Sequence, residues 1–87
     1  MHQLVFSAAF QKQLKKLIKK NPKLRVKIKK MFKLLIKNIN HSGLKLHKLK
    51  GENNWSISIT HNIRIVIHLE KNQIFCLRIG SHNQVYQ

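Results

Sequence analysis

The apolar residues of the chain repeat with two different periods, one before and one after Gly43. Between Ser7 and Asn40 they recur at steps of three and four, which is the spacing of one face of an α-helix. Asn21-Pro22 interrupts this pattern, because proline suits the first turn of a helix but not its interior. The pattern therefore predicts two amphipathic helices that form an antiparallel hairpin, the first of them capped by Ser7.

The segments outside the two helices alternate with the period of β-strands. HQLVF at residues 2–6 predicts a short first strand, and three longer strands are predicted from WSISITH, IRIVIHLE and QIFCLRIG, with turns at His61-Asn62 and Lys71-Asn72. The predicted order is β-α-α-β-β-β. This order indicates an α+β fold in which an antiparallel sheet packs on the helical hairpin. At 87 residues the chain is expected to form one domain, 1–87.

The alternation also predicts which side chains face away from the helices. If the strongly apolar positions of each strand pack on the helices, the remaining positions form an open, more polar face. Those positions are Ser56, Ser58, Thr60, Arg64, Val66, His68, Ile74, Cys76 and Arg78. Trp55 is expected to anchor the core rather than to stack on a base, and Cys76 to be a small packing residue rather than a nucleophile.

The balance of charges is unusual, with 18 Lys and Arg against two acids and a formal net charge of +16. Such a surplus repels itself, and a polyanionic partner is its usual explanation. Nucleic acid fits best, with an acidic protein or an anionic membrane surface as alternatives. Two isolated carboxylates, Glu52 and Glu70, argue against two-metal and paired-carboxylate catalysis. Any catalysis then depends on His, Arg, Lys or Tyr.

Cofactor and compartment follow from the same composition. The histidines and the single cysteine show no zinc-ligand spacing, so no metal or other cofactor is expected. A lone cysteine forms no internal disulfide, which indicates a reducing compartment. No apolar run is long enough to cross a bilayer, and the first ten residues lack the features of a signal peptide. We therefore expect a cytoplasmic protein without a membrane partner.

The side chains that could take part in catalysis lie on the open face and after the last predicted strand. Arg64 lies on that face, while His82 and Tyr86 follow the strand that ends near Gly80. A basic face with Arg, His and Tyr at its rim is typical of an RNA-binding cleft. The lysines of the helices are more simply the solvated sides of amphipathic helices, and Arg64 alone is equally compatible with a solvent-facing strand residue.

Several short segments, taken in order, resemble a known family. They are HKLKG at residues 47–51, Trp55-Ser56, Arg64-Ile65-Val66, and the closing Ile79-Gly80-Ser81-His82 with Val85-Tyr86. Together they resemble the RelE/ParE superfamily of bacterial toxins from type II toxin–antitoxin modules, in its RelE/YafQ-like mRNA interferase branch. The resemblance runs along nearly the whole chain.

The resemblance implies a metal-independent endoribonuclease that cleaves mRNA, often on the ribosome, by 2′-OH transesterification. It implies that Arg64 stabilises the charge on the scissile phosphate. His82 would be the general acid or base, Tyr86 a second proton-transfer or orienting group, and His47 a proton-transfer or positioning residue. The residues expected to hold the RNA backbone are Lys45, Lys48, Lys50 and Arg78.

The same resemblance implies a cognate acidic antitoxin as protein partner, beside mRNA and the ribosome. Two alternatives remain open at this stage. A ParE-like toxin would poison DNA gyrase and cleave nothing. A non-catalytic basic module would bind RNA or the ribosome without using the C-terminal histidine and tyrosine.

Overall fold

The computed structural model describes residues 3–81 and Val85, and these contain two helices and five strands. In chain order the elements are β1 (Gln3–Phe6), α1 (Ala8–Lys20), α2 (Leu24–Lys37), a short 3₁₀ helix (Ser42–Leu44), β2 (His47–Lys48), β3 (Trp55–Ser58), β4 (Ile63–Glu70) and β5 (Gln73–Ser81). This confirms the predicted α+β fold and its element order, to which the structure adds the two-residue strand β2.

The five strands form one sheet in the order β1-β5-β4-β3-β2. The pairs β2–β3, β3–β4 and β4–β5 are antiparallel, and the last two of these were predicted. Strand β1 instead runs parallel to β5, with Gln3 opposite Gln73 and Phe6 opposite Cys76. The sheet is therefore mixed. Alternation could not predict this detail, because a period of two reports the faces of a strand and not its direction.

Strand β5 is attached to the start of α1 through side chains of that helix. Ser7 is the N-cap, and its Oγ accepts a hydrogen bond from the Phe10 N–H at 2.9 Å. The same hydroxyl donates to the Leu77 carbonyl at 2.9 Å. Further along, Gln13 Oε1 accepts from the Ile79 N–H at 3.0 Å. Helix α1 thus satisfies backbone groups on the part of the β5 edge that β1 leaves unpaired.

The main core lies between the two helices and one face of the sheet. Its fully buried side chains are Phe10, Leu35, Leu44, Ile57, Ile65, Ile67, Ile74 and Cys76. Each large apolar side chain removed from water contributes about 1.5–3 kcal/mol before entropy is counted. Within the described part of the chain, no helix has the length and apolar character needed to cross a membrane.

A β-bulge in β5 changes which of its side chains face the helices. Val66 pairs with Arg78, but the next residue, Ile67, pairs with Cys76, so Leu77 has no counterpart. At such a bulge two consecutive side chains lie on the same face. Leu77 and Arg78 therefore both lie on the face that is turned away from the helices.

The prediction for the first half of β5 was consequently wrong. Ile74 and Cys76 were expected on the open face, but both are fully buried in the helix-facing core. Phe75 and Leu77 were expected inside. Phe75 instead lies opposite His68 on the open face, with 6.2 Å between the ring centroids.

The open face is also less accessible to solvent than the alternation predicted. Leu49, Val66 and Val85 form a second, smaller buried cluster there, and Leu77 packs against it. Ser56, in the same part of the sheet, is also fully buried. The centre of this face is therefore covered by residues that follow β2 and β5, while its margins remain accessible.

Candidate nucleic-acid interface

Arg64 is the central residue of the candidate site. It lies on β4, opposite Ser58 of β3 on one side and Gly80 of β5 on the other. Its side chain is half-buried, and its Nε atom is buried without a hydrogen-bond partner in the described part of the protein. A buried donor without a partner is uncommon in a folded protein, and the Nε atom of Arg78 shares this property with that of Arg64.

The next row across the open face brings two further candidate residues to the same surface. His47, Ser56, Val66 and Arg78 are successive cross-strand neighbours from β2 to β5. With about 5 Å between strands and about 7 Å per two-residue step, the Cα atoms of Arg64 and Arg78 are roughly 8 Å apart. His47, at the exposed edge, is roughly 14 Å from Arg78 by the same geometry. Arg64, Arg78 and His47 therefore share one face, with the two arginines close together.

Arg78 is held by a hydrogen-bonded network from the loop before β3. Its Nη2 atom donates to Glu52 Oε1 at 3.3 Å, and the Asn54 Nδ2 atom donates to the same oxygen at 2.8 Å. The Asn54 Oδ1 atom then faces His68 Nδ1 at 3.0 Å. Since both partners of that nitrogen are carbonyl oxygens, including Asn53 O at 3.2 Å, the network requires a hydrogen on His68 Nδ1.

Glu52 was not among the sequence candidates, although it contacts one of them. Its side chain and that of Arg78 are 38% and 36% exposed, so the ion pair is only partly screened by water. The sequence contains one indication of this contact. The chain has only two acids, so each carboxylate is a candidate partner of an arginine. Which arginine it meets, 26 residues away, is visible only in the structure.

The three predicted RNA-binding lysines have different surroundings. Lys45 lines a pocket of about 270 Å³ together with Arg64. The Nζ atom of Lys48 lies 5.1 Å from the centroid of the Trp55 ring and donates to Asn53 Oδ1 at 3.0 Å, so this lysine helps to fix the loop. Lys50 is exposed on that loop. Only Lys45 is thus brought together with Arg64.

His82 and Tyr86, the predicted proton-transfer residues, lie outside the described residues. Their neighbours in the chain are described: Ser81 pairs with Ile63, next to Arg64, and Val85 is buried on the open face. Of the described residues, no group of three His, Cys, Asp or Glu side chains lies close enough together to hold a metal ion.

Cys76 and Trp55 have the structural roles that the sequence indicated. Burial raises the pKa of the Cys76 thiol from 9.0 to about 12. A thiol with such a pKa stays protonated and is a poor nucleophile at neutral pH. Trp55 is half-buried and packs against the main core.

Neither a family model nor a curated protein matches the sequence. Solved structures do match. YafQ from Escherichia coli strain BL21(DE3) has a TM-score of 0.83 and 21% identity, with 100% of both chains covered. The E. coli DinJ–YafQ toxin–antitoxin complex has a TM-score of 0.82 and 22% identity, with 99% of this chain and 98% of that chain covered. The YoeB/ParE toxin from Agrobacterium tumefaciens has a TM-score of 0.80 and 19% identity, with coverages of 94% and 99%.

These structures cover 94–100% of the chain, at identities that carry information on the fold alone. They agree with the resemblance drawn from the segments at residues 47–51, 64–66 and 79–86. By its architecture and its structural neighbours, the chain has the RelE/YafQ-like α+β fold, which is the fold of the YafQ and YoeB/ParE toxins that it matches.

Proposed function

We propose that the protein is the toxin of a type II toxin–antitoxin module and acts as a metal-independent endoribonuclease on mRNA, at the ribosome. The observation that carries this proposal is the half-buried guanidinium of Arg64, whose Nε has no partner in the described structure. It lies one row from Arg78 and next to the end of β5, where His82 follows Ser81 in the sequence.

The proposed reaction uses the nucleophile that RNA itself carries. The 2′-oxygen attacks the adjacent phosphorus, the bond from phosphorus to the 5′-oxygen breaks, and the products are a 2′,3′-cyclic phosphate and a 5′-hydroxyl end. One proton leaves the 2′-hydroxyl and one reaches the 5′-oxygen. His82 serves one of these transfers, Tyr86 or His47 assists the other, and Arg64 stabilises the charge on the non-bridging oxygens.

Backbone binding is assigned to the basic residues around Arg64. Arg78 lies beside it on the sheet, and Lys45 lies across the shared pocket. Lys48 and Lys50 extend the cationic surface along the loop between β2 and β3. Each contact with a phosphate contributes affinity that weakens as salt is added, because bound counterions are released.

The decisive experiment is cleavage of a single-stranded mRNA fragment and of ribosome-bound mRNA by purified protein in EDTA, with analysis of the product ends. We expect cyclic phosphate and 5′-hydroxyl ends, and a loss of about 10²–10⁴-fold in rate for His82→Ala with little change in RNA affinity. His41→Asn is the matched control, because asparagine can replace the capping nitrogen of His41. Unchanged cleavage by His82→Ala would refute the assignment.

A gyrase-inhibiting toxin is the second candidate, because one structural neighbour is named a YoeB/ParE toxin. It predicts intact RNA and inhibited DNA supercoiling. Assaying purified gyrase beside the RNA reaction separates the two candidates.

The antitoxin proposed for this chain is an acidic protein. The net charge of +16, with two acids in the chain, provides strong attraction for such a partner and little internal neutralisation. If a small acidic protein is encoded beside it, co-expression of that protein should suppress the toxicity of the protein expressed alone.

A further inference from the structure

A pocket of about 270 Å³ opens beside Arg64, between helix α2 and the β3–β4 hairpin. Lys27 and Met31 line it from the helix, Lys45 from the segment after the 3₁₀ helix, and Ser58, Ile59 and Arg64 from the sheet. It is separate from the row that contains His47 and Arg78. Arg64 therefore borders two spaces, the open face on one side and this pocket on the other.

The lining of this pocket combines positive charge with an apolar surface. Lys27, Lys45 and Arg64 contribute three cations, and no acid is present among its described lining residues. Met31 is half-buried and offers apolar surface to the pocket, whereas Ile59 also lines it but is only 2% exposed. The buried Arg64 Nε has no hydrogen-bond acceptor in the described part of the molecule. The combination suits a ligand with an anionic group next to a flat, weakly polar one.

We propose that this pocket is a subsite for one nucleotide of single-stranded RNA, the one adjoining the linkage that is cleaved. Lys27 and Lys45 hold its phosphate, and its base lies against Met31 and Ile59. This inference rests on the proposed ribonuclease function, since Arg64 would then bridge the scissile phosphate and the flanking nucleotide. An acidic protein segment could also match the cations, but Arg64, which is proposed to bind the scissile phosphate, lines this pocket, and RNA is therefore the favoured occupant.

The backbone conformation of Lys45 allows the proposed phosphate contact to be tested against a matched control. It ends the 3₁₀ helix in the left-handed region, with φ 50° and ψ 49°, where Gly or Asn is normally preferred. Lys71, in the β4–β5 turn, has φ 51° and does not line the pocket. The conformation alone therefore marks no site. Lys45 and Lys71 have the same charge and the same left-handed backbone conformation, but of the two only Lys45 lines the pocket.

The experiment compares Lys45→Asn with Lys71→Asn. Binding is measured by fluorescence anisotropy with 2′-O-methylated single-stranded RNA of about eight nucleotides, which cannot be cleaved. Lys45→Asn should bind roughly 3–10-fold more weakly, and the slope of log affinity against log salt should fall by about 0.7, the value for one lost phosphate contact. Lys71→Asn should stay within about twofold.

Melting temperatures separate binding from folding. Asparagine tolerates the left-handed region better than lysine, so both variants should melt at the same or a slightly higher temperature, by roughly 1–4 °C. A loss of RNA affinity in a protein that is more stable cannot come from misfolding. Lys27→Ala, with Lys29→Ala on the same helix as its control, repeats the comparison without touching the turn.

The outcomes distinguish this inference from the function on which it rests. Equal RNA binding by Lys45→Asn and Lys71→Asn, in a wild-type protein that cleaves RNA, overturns the subsite and leaves the ribonuclease standing. Weaker binding by Lys45→Asn in a protein that cleaves neither free nor ribosome-bound RNA keeps the pocket as an RNA-binding site but refutes the enzyme and, with it, a position beside a cleaved linkage. If Lys45→Asn weakens binding of an acidic peptide but not of RNA, the occupant is a protein segment and the inference is overturned.

Discussion

At the scale of single residues, Arg64 and Arg78 both have a buried Nε without a partner, but of the two only Arg78 has an ion pair among the described residues. A surface arginine usually finds water or a carboxylate, whereas the Nε of Arg64 is buried without a partner among the described residues. Both acids of the chain are engaged elsewhere: Glu52 contacts Arg78, and Glu70 lies 3.8 Å from His68. Arg64 thus keeps its full charge for an external anion.

Arg64→Lys tests whether the guanidinium matters beyond its charge. Lysine keeps the positive charge but loses the planar set of donors that can bind two phosphate oxygens together. We expect the rate constant for RNA cleavage to fall by about 10²-fold, with a melting temperature close to that of the wild type. Arg25→Lys, an exposed position on α2, is the matched control. Full activity of Arg64→Lys would show that charge alone is sufficient.

Cys76 gives a residue-scale prediction about alkaline pH. Burial raises the pKa of its thiol from 9.0 to about 12, so between these values the folded state keeps a proton that the unfolded state has lost. The stability that this thiol provides is complete below about pH 9 and is lost as pH rises towards about 12. Between about pH 9 and about pH 10.5 the wild type should lose about 2 kcal/mol relative to Cys76→Ala.

The measurement is urea unfolding of both proteins at a series of pH values. The comparison cancels the ionisation of the lysines, which both proteins share. At neutral pH the variant is expected to be about 1 kcal/mol less stable, because it loses a buried sulfur atom. Parallel pH profiles would contradict the buried, protonated thiol.

At the scale of elements, the loop before β3 is attached to the sheet through Arg78. The chain of contacts runs from His68 through Asn54 and Glu52 to the guanidinium. This loop therefore orders Arg78 and at the same time partly neutralises the charge that a phosphate would need.

Glu52→Gln should accordingly strengthen RNA binding. Its amide can still accept a hydrogen bond from Arg78, but the competing negative charge is gone, so we expect the dissociation constant to fall by about threefold at low salt. Glu70→Gln changes the net charge of the protein by the same amount away from Arg78, and should alter binding less than about twofold. Weaker binding by Glu52→Gln would mean that the carboxylate chiefly positions Arg78.

The sequence predicted those features of the elements that have a local signal, such as caps, helix breaks and the alternation of a strand. Ser7 as a cap, the break at Asn21-Pro22 and the alternation of Ile63, Ile65 and Ile67 each have a local physical cause, and the structure confirms them. In β5 the run from Ile74 to Leu77 is apolar at every position, so alternation could not assign its faces. Because of the bulge at Leu77, the residues before it face the side of the sheet opposite to the one predicted.

The candidate site was predictable only in part for a related reason. Arg64 was predicted because it lies on the open face of the sheet and matches a segment of the family resemblance, and Lys45 because of that resemblance alone. Glu52 and Lys27 offered no such local signal, since their roles depend on contacts with Arg78 and with the pocket. Contacts between distant segments are set by the register of the sheet, which no short stretch of sequence specifies.

At the scale of the molecule, the charge is concentrated on surfaces that have no acid of their own. Neither helix begins with an acid in its first turn, and their exposed sides are rich in lysine. Repulsion among these lysines opposes the compact state, at a cost that mobile ions reduce.

Salt should therefore stabilise the free protein. Raising NaCl from about 0.05 M to about 0.5 M shortens the screening length severalfold, and we expect the melting temperature to rise by several degrees. A variant with Lys29→Gln, Lys30→Gln and Lys33→Gln should melt higher at low salt and respond less to NaCl, since glutamine and lysine have similar helix propensity. A salt response equal to that of the wild type would argue against self-repulsion.

The last strand among the described residues, β5, lies inside the sheet, between β1 and β4. During synthesis, β1, both helices and the β3–β4 hairpin leave the ribosome before the strand that joins them, so none of these parts can complete the core beforehand. A premature stop codon before residue 73 would remove β5 and leave β1 without a strand to pair with, and the product would be degraded as an unfolded chain. The genes of such proteins should consequently be silenced by late truncations as effectively as by early ones.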